Sequence, residues 1–352
     1  WCGWCDRAVS GDLHHHRHAL RDQHLQLRQL HQPLSLRLAL LVLIGLLGAC
    51  ARTTVTLVDA SHLPVRAELA DVPFYPQEDF QCGPAALATM LSQRGIDATP
   101  DALVEQVYIP QRKGSLQVEM VAAARSAGLL VYPLRPRLED VLTEIASGNP
   151  VLVLQNLAFD RWPQWHFAVV VGFDLERQEI ILRSGTTERW VGGFREFERS
   201  WAKGGRWAVL TLTPDQIPET AQEAVWLRSA SDMEEVGQRR GARQAYDAAT
   251  ARWGSALAYF ALANSQYGSG EMHAAEASLR ASVRVDQRFA IGWFNLSQVM
   301  AEQGCISEAR QARACSARLA PGDGRLKAPL PAAAEQAARQ CAPPPSCPLP
   351  VH

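Results

Sequence analysis

The sequence lacks three features that would place it in a common functional class. Its 35 lysines and arginines are balanced by 36 aspartates and glutamates, giving a formal net charge of −1, so no basic excess is available to neutralise nucleic-acid phosphates. Eight cysteines in 352 residues are too few for a small disulfide scaffold. The apolar run at 38–47 is too short for a membrane-spanning helix, which needs ~20 residues. We therefore expect no nucleic-acid partner and no spanning segment.

The chain is long enough for two modest domains at about 150 residues each, and 47% of its residues are hydrophobic, enough for at least one core. Shifts in composition along the chain divide it into six segments. We predict a leader at 1–33, a signal peptide at 34–49, a tether at 50–70, an α+β domain at 71–214, an all-α repeat domain at 223–323 and a tail rich in Pro, Ala and Cys at 324–352.

The leader contains three consecutive histidines at 14–16 and has no hydrophobic period. It is interpreted as a misplaced gene start or a disordered segment, and a metal-binding His/Cys tract is the alternative. The apolar run that follows has the length of a signal-peptide core and ends in Leu47-Gly48-Ala49-Cys50, which resembles the lipobox of bacterial lipoproteins. An uncleaved signal anchor is the alternative.

The lipobox resemblance implies cleavage before Cys50 and attachment of a diacylglyceryl group to its thiol. Each buried lipid methylene contributes about 0.8 kcal/mol to membrane binding. We expect a lipid-anchored protein of the cell envelope that faces the periplasm. Ala51 is not the Asp of the inner-membrane retention signal, which favours the outer membrane.

The pattern from 72 to 213 places helices before strands, which is an α+β order, and we expect the strands to form an antiparallel sheet. Turn residues and apolar periodicity separate these elements. The predicted helices are 85–94, 100–107, 116–127 and 138–146, and the predicted strands are 129–134, 151–154, 166–173, 179–183 and 207–212.

From Glu223 onward the chain is rich in alanine and self-similar. The aromatic residues Trp226, Tyr259 and Trp293 recur at spacings of 33 and 34. Glycines 237, 270 and 304 and alanines 242, 275 and 309 recur in the same phase. This pattern resembles the tetratricopeptide repeat, which implies a concave groove that binds a protein or peptide partner.

The most informative segment contains Gln77, Cys82, Gly83 and Pro84, followed by a predicted helix. Proline suits a first helical turn because its missing N–H would be unpaired there. The positive end of the helix dipole is expected to lower the Cys82 pKa, as a nucleophile requires. The Gln77 side-chain amide and the Cys82 backbone N–H are candidates to bind a developing oxyanion.

A histidine begins an apolar strand in the segment His166-Phe-Ala-Val-Val-Val-Gly172. A neutral imidazole held there is a candidate base for the thiol proton. The flanking Trp162 and Trp165 either wall a substrate groove or serve in packing.

Together, Gln77, Cys82-Gly-Pro-Ala-Ala-Leu87 and the histidine strand resemble the bacteriocin-processing (double-glycine) cysteine peptidases and their papain-like relatives over residues 70–213. The resemblance implies a papain-like fold and hydrolysis of a peptide or protein substrate. It also implies that Cys82 is the nucleophile, His166 the base and Gln77 a support for the oxyanion hole. No cofactor or metal is expected.

The sequence departs from this family where an Asp or Asn usually orients the histidine, because Ser184 occupies that place. A serine can accept a hydrogen bond but cannot balance an imidazolium charge. Asp174 and Glu188 are weaker candidates for the orienting role. The departure leaves two alternatives open: an inactive pseudo-peptidase scaffold, and a transferase or amidase with the same fold.

Four further cysteines lie in the repeats and tail, and in an oxidising compartment some of them should pair. Four cysteines allow three connectivities, between which the sequence does not choose. These residues are Cys305, Cys315, Cys341 and Cys347.

Overall fold

A computed structural model describes residues 54–77, 81–332 and 340–349. The predicted leader, signal peptide and lipidation site Cys50 lie outside the described residues. Among the helices that are described, none has the length and apolar character needed to cross a bilayer.

The described residues form one antiparallel sheet of seven strands, with the order β2-β7-β3-β4-β5-β6 and with β1 paired to β4. All strand pairs are antiparallel, which confirms the predicted α+β class with an antiparallel sheet. The strands are β1 Arg66–Glu68, β2 Leu130–Pro133, β3 Val151–Asn156, β4 Trp165–Asp174, β5 Glu179–Ser184, β6 Thr187–Gly193 and β7 Ala208–Leu212.

Helices cover both faces of this sheet, because the central strands are apolar on both sides. Val169 and Val171 of β4 pack with the first three helices, whereas Ala168 and Val170 pack with the next two. The five helices are α1 Cys82–Ser92, α2 Pro100–Val107, α3 Gln117–Ser126, α4 Leu138–Ala146 and α5 Phe194–Lys203.

The segment predicted as a tether is partly built into this domain. Strand β1 pairs with β4 at Gly172, where an added Cβ would lie 2.9 Å from the Ala67 carbonyl oxygen. Val55, Leu57 and Leu63 pack against the core. Residues 55–70 are therefore structured, because their apolar side chains pack against one face of the sheet.

Six further helices follow the sheet domain as three successive pairs, separated by short turns. Gly237, Gly270 and Gly304 occupy the turn within each pair with φ of 85°, 77° and 84°, a left-handed conformation that glycine adopts without steric cost. The alanines at 242, 275 and 309 are fully buried. The helices are α6 Glu223–Glu235, α7 Arg239–Trp253, α8 Ala256–Gly268, α9 Met272–Val285, α10 Ala290–Glu302 and α11 Ile306–Leu319.

The tail is attached to the last helix pairs by two disulfides, Cys305–Cys341 and Cys315–Cys347. The Arg280 guanidinium donates 2.7 Å hydrogen bonds to the carbonyl oxygens of Ala342 and Pro343. Residues 340–349 are therefore part of the folded repeat region.

The first repeat helix joins the sheet domain through a continuous core. Trp226 of α6 is fully buried and packs 6.5 Å from the Tyr132 ring of β2. A polar network at the linker reinforces this contact, because the buried Glu144 accepts 2.7 Å hydrogen bonds from both the backbone N–H and the hydroxyl of Thr220. The helical region consequently rests on the edge of the sheet opposite β6.

Candidate active site

Helix α1 begins at Cys82, three residues before the helix start predicted from the sequence. The backbone N–H groups of Phe167 and Gly83 favour the ionised form of the Cys82 thiol. Cys82 is a half-buried free cysteine. Its sulfur thus lies at a helix start, against the residue that follows His166 in β4.

Gly83 is required by the close approach of the 112–116 loop to α1. A Cβ on Gly83 would lie 2.1 Å from the Ser115 hydroxyl oxygen and 3.3 Å from the Met120 sulfur. The Ser115 hydroxyl is buried and has no hydrogen-bond partner among the described residues. The glycine beside the nucleophile candidate therefore lets this loop reach the start of α1.

We expect the Gly83→Ala variant to be destabilised by about 1–3 kcal/mol, the usual cost of overpacking a close contact. Thermal or denaturant unfolding measures the change. The Ser115→Gly replacement removes the clashing hydroxyl, so the double variant should recover most of the lost stability. Equal destabilisation of the single and double variants would contradict this role for Ser115.

His166 is the second residue of β4, which pairs with β3 through Gln155. The side chain is only 8% exposed. Its Nε2 lies 2.8 Å from the hydroxyl oxygen of Ser184 at the end of β5. A register shift in the β5–β6 pairing falls between Leu182 and Ser184. The residue at the predicted orienting position therefore contacts the imidazole.

The two weaker orienting candidates have other surroundings. Asp174 ends β4, eight residues beyond His166, and its carboxylate lies 2.7 Å from the Arg66 guanidinium. Since a strand rises about 3.3 Å per residue, Asp174 is too far along β4 to touch the ring. Glu188 is exposed on β6, and its backbone carbonyl accepts a hydrogen bond from Arg183.

Arg183 is a buried cation that sequence reasoning missed. Its guanidinium donates to the carbonyl oxygens of Ala70 and Val72 at 3.0 and 3.1 Å, and a few residues later the Gln77 N–H donates to the Gly185 carbonyl. The segment leading to Gln77 is thereby fixed to β5. The sequence signal that could have identified this residue is a single charged side chain directly after the apolar stretch Ile180-Ile-Leu.

Three of the predicted site residues line a cleft of about 700 Å³. These residues are Gln77, Cys82 and His166. One further wall is the 112–116 loop and another is formed by residues 163–165, directly before the histidine. Gln77, Cys82 and Ser184 also share a smaller adjoining pocket. The structure therefore brings the four predicted site residues to one place, while their catalytic roles stay predictions.

Burial shifts the pKa values of both Cys82 and His166. Desolvation raises the pKa of the Cys82 thiol, and the opposing backbone N–H bonds from Phe167 and Gly83 are the smaller effect. The sequence-based expectation of a lowered pKa at Cys82 is therefore wrong in direction. Desolvation also lowers the pKa of the His166 imidazole to about 4. At neutral pH the thiol and the imidazole that line this cleft are therefore both neutral.

One known protein family matches the sheet domain. Residues 69–209 match the Peptidase_C39 like family. The match includes Gln77, Cys82, His166 and Ser184, and it supports a cysteine peptidase-type function for this part of the chain. The helical repeats lie outside the matched range.

Two solved structures are similar to part of the chain. A C39-like peptidase structure from Bacillus anthracis is 16% identical, with a TM-score of 0.36, covering 42% of this chain and 97% of that one. The peptidase domain of Streptococcus ComA, a bifunctional ABC transporter of a quorum-sensing pathway, is 19% identical, with a TM-score of 0.33, covering 40% and 98%. Comparison with curated proteins gives no match.

Proposed function

We propose that the chain is a lipid-anchored cysteine endopeptidase of the cell envelope in which Cys82 attacks the peptide carbonyl and His166 is the base. The observation that carries the proposal is the shared cleft, in which Cys82 at a helix start and His166 at a strand start face the same space. The family match over 69–209 supports the same reaction class. Attachment through Cys50 rests on the lipobox resemblance alone.

The hydrogen bond to Ser184 sets the tautomer in this mechanism. When Nε2–H donates to the Ser184 oxygen, 2.8 Å away, Nδ1 has the lone pair that accepts the thiol proton. The sulfur attacks as the proton leaves, which suits a pair that is neutral at rest. The Cys82 N–H and the Gln77 amide stabilise the oxyanion, and His166 returns the proton to the leaving amine. Water then hydrolyses the acyl-enzyme.

A peptide library incubated with the full chain tests this proposal by mass spectrometry. Hydrolysis should give two fragments whose masses add up to the substrate plus one water. Added amine acceptors should not appear in the products; their incorporation would identify a transferase instead. Intact peptides, together with no labelling of Cys82 by a thiol-reactive probe on folded protein, would identify the pseudo-peptidase.

One observation favours the pseudo-peptidase as the second candidate. The described surroundings of the imidazole provide the Ser184 hydroxyl but no carboxylate, and loss of the orienting carboxylate costs about 10⁴-fold in rate in the best-studied triad. In this alternative the cleft binds peptides without cleaving them. Activity of the purified chain on any library peptide that depends on Cys82 excludes this alternative.

The effect of pH gives a specific prediction for Ser184. An imidazole with a pKa of about 4 stays neutral above roughly pH 5, so activity should fall only as the pH approaches 4. In the Ser184→Asp variant a carboxylate beside Nε2 favours the imidazolium and raises the His166 pKa. The acid limb of the pH profile of kcat/KM should therefore move to higher pH.

The Ser184→Ala variant is the matched control for this shift. It loses one hydrogen bond worth about 1 kcal/mol, so kcat should fall roughly fivefold while the acid limb stays in place. An acid limb that is identical in the Ser184→Asp variant and the parent would contradict contact between residue 184 and the catalytic ring.

The repeats support a partner-binding role within this proposal. Their spacing resembles the tetratricopeptide repeat, and a groove of about 750 Å³ lies between the first helices of the first two pairs, with Leu227, Leu257 and Phe260 among its lining residues. Such helix-lined grooves bind extended peptides or proteins. We assign this groove to docking a protein substrate or an envelope partner.

A further inference from the structure

The hairpin between β3 and β4 exposes large apolar side chains beside the cleft. Leu157, Phe159, Trp162 and Trp165 are 50%, 76%, 69% and 53% exposed, and no other Phe or Trp among the described residues is comparably exposed. Residues 157–165 are called the aromatic hairpin below. Exposed apolar clusters of this kind mark binding surfaces.

The aromatic hairpin is held in one conformation by polar contacts. The Asn156 side-chain oxygen accepts hydrogen bonds from the backbone N–H groups of Ala158 and Gln164 at 3.1 and 2.9 Å. The Lys203 ammonium of α5 donates to the Ala158 carbonyl at 2.7 Å. Because these contacts fix the backbone of the hairpin, binding of a ligand to the exposed rings does not have to order the loop.

The hairpin is continuous with the cleft, which indicates what covers it. Pro163, Gln164 and Trp165 line the cleft directly before His166. Farther out, Phe159 and Trp162 are joined by a β-bridge, and the Arg161 guanidinium lies 5.2 Å from the Trp162 ring centroid. A chain that enters the cleft on the histidine side must therefore pass these rings.

The chemistry of the reaction decides which part of the substrate passes there. The group that protonates the leaving amine has to lie next to that amine. The peptide segment on the C-terminal side of the cleaved bond therefore runs past His166 and onto the hairpin. The opposite segment, which stays as the acyl group on Cys82, points away from it.

We infer that the aromatic hairpin is the specificity site for substrates with a large apolar side chain within the first few residues after the cleaved bond. This inference rests on the proposed peptidase function and names its substrate class. It assigns a binding role to Phe159 and Trp162 and no role in proton transfer.

Peptides that differ only in these positions, with Leu or Phe against Ser or Gly, test the inference on the full chain. Burying one such side chain should raise kcat/KM roughly tenfold or more for the apolar peptides. In the Phe159→Ser, Trp162→Ser double variant the ratio of kcat/KM between apolar and Gly peptides should shrink to within about threefold. Val236→Ser, which changes an exposed apolar residue elsewhere, is the matched control and should keep the full preference.

Binding to the Cys82→Ala variant separates this inference from the proposed reaction. One outcome is that the parent cleaves no peptide, while labelled apolar peptides still bind to Cys82→Ala and lose this binding when Phe159 and Trp162 are replaced. In that case the peptidase proposal fails and the binding site stands. Equal binding and equal cleavage of apolar and Gly peptides would overturn the inference. The inference would also be overturned if the hairpin variants lost binding to phosphatidylglycerol-containing vesicles but kept the preference for apolar peptides, because the rings would then contact membrane.

Discussion

The Cys82→Ala variant is expected to lose peptide hydrolysis by about 10⁴-fold or more, because removal of the nucleophile leaves no atom to form the acyl-enzyme. Cys82 is the free cysteine of the described residues, and it lines the cleft together with His166. The measurement is kcat/KM on the best peptide found in the library.

Two controls make this result specific. Cys82→Ser keeps the size of the side chain but offers a hydroxyl that the neutral imidazole activates poorly, so it should be almost as inactive as Cys82→Ala. Both variants should retain the parent melting temperature and peptide affinity, since a half-buried cysteine contributes little packing that alanine or serine removes. Hydrolysis within tenfold of the parent in folded Cys82→Ala would rule out the mechanism.

The second large effect is expected from the two disulfides of the repeat region. The Cys305–Cys341 bond joins residues 36 positions apart in the sequence, and the Cys315–Cys347 bond joins residues 32 positions apart. In the chain-entropy account, closing a loop of this length lowers the entropy of the unfolded chain and stabilises the folded state by about 3–4 kcal/mol for each bond. Replacing Cys305 and Cys341 by serine, or Cys315 and Cys347, should therefore lower the thermal transition of the helical repeats by many degrees.

Paired replacements are preferable to a reducing agent here, because a reductant acts on both disulfides at once. The tail contacts that remain, such as Arg280 to Ala342 and Pro343, should not hold the tail without the sulfur bridges. Peptide cleavage should persist, since the cleft lies in the sheet domain. A melting profile of the paired variants that overlays the parent would contradict a stabilising role for the bonds.

Local patterns were sufficient for most of the sheet domain. Helices 100–107 and 138–146 were predicted with the bounds that the structure has, because a proline at the start of one and strong apolar periodicity in the other mark them. Strand β6 was missed. It lies at the sheet edge with most side chains exposed, so its sequence lacks the alternation that burial on one face imposes.

The candidate site could be predicted only where residues that are close together in the sequence indicate the chemistry. The serine after the apolar strand Glu179–Arg183 was placed opposite the histidine, and the structure has that contact at 2.8 Å. Two features depend on distant segments and were invisible: the Ser115 hydroxyl against Gly83 and the Arg183 bonds to residues 70 and 72. The Cys82 pKa was predicted in the wrong direction for the same reason, since its desolvation arises from tertiary packing.

The most direct test of the account is the site of covalent labelling by a peptide with a thiol-reactive electrophile, and the dependence of the labelling rate on His166. We predict an adduct on Cys82 at neutral pH, formed at least a hundredfold faster in the parent than in His166→Gln, because in this mechanism the imidazole accepts the thiol proton. Folded protein that forms no adduct at Cys82, or that labels equally fast without His166, would contradict the claim that these two residues react as a pair.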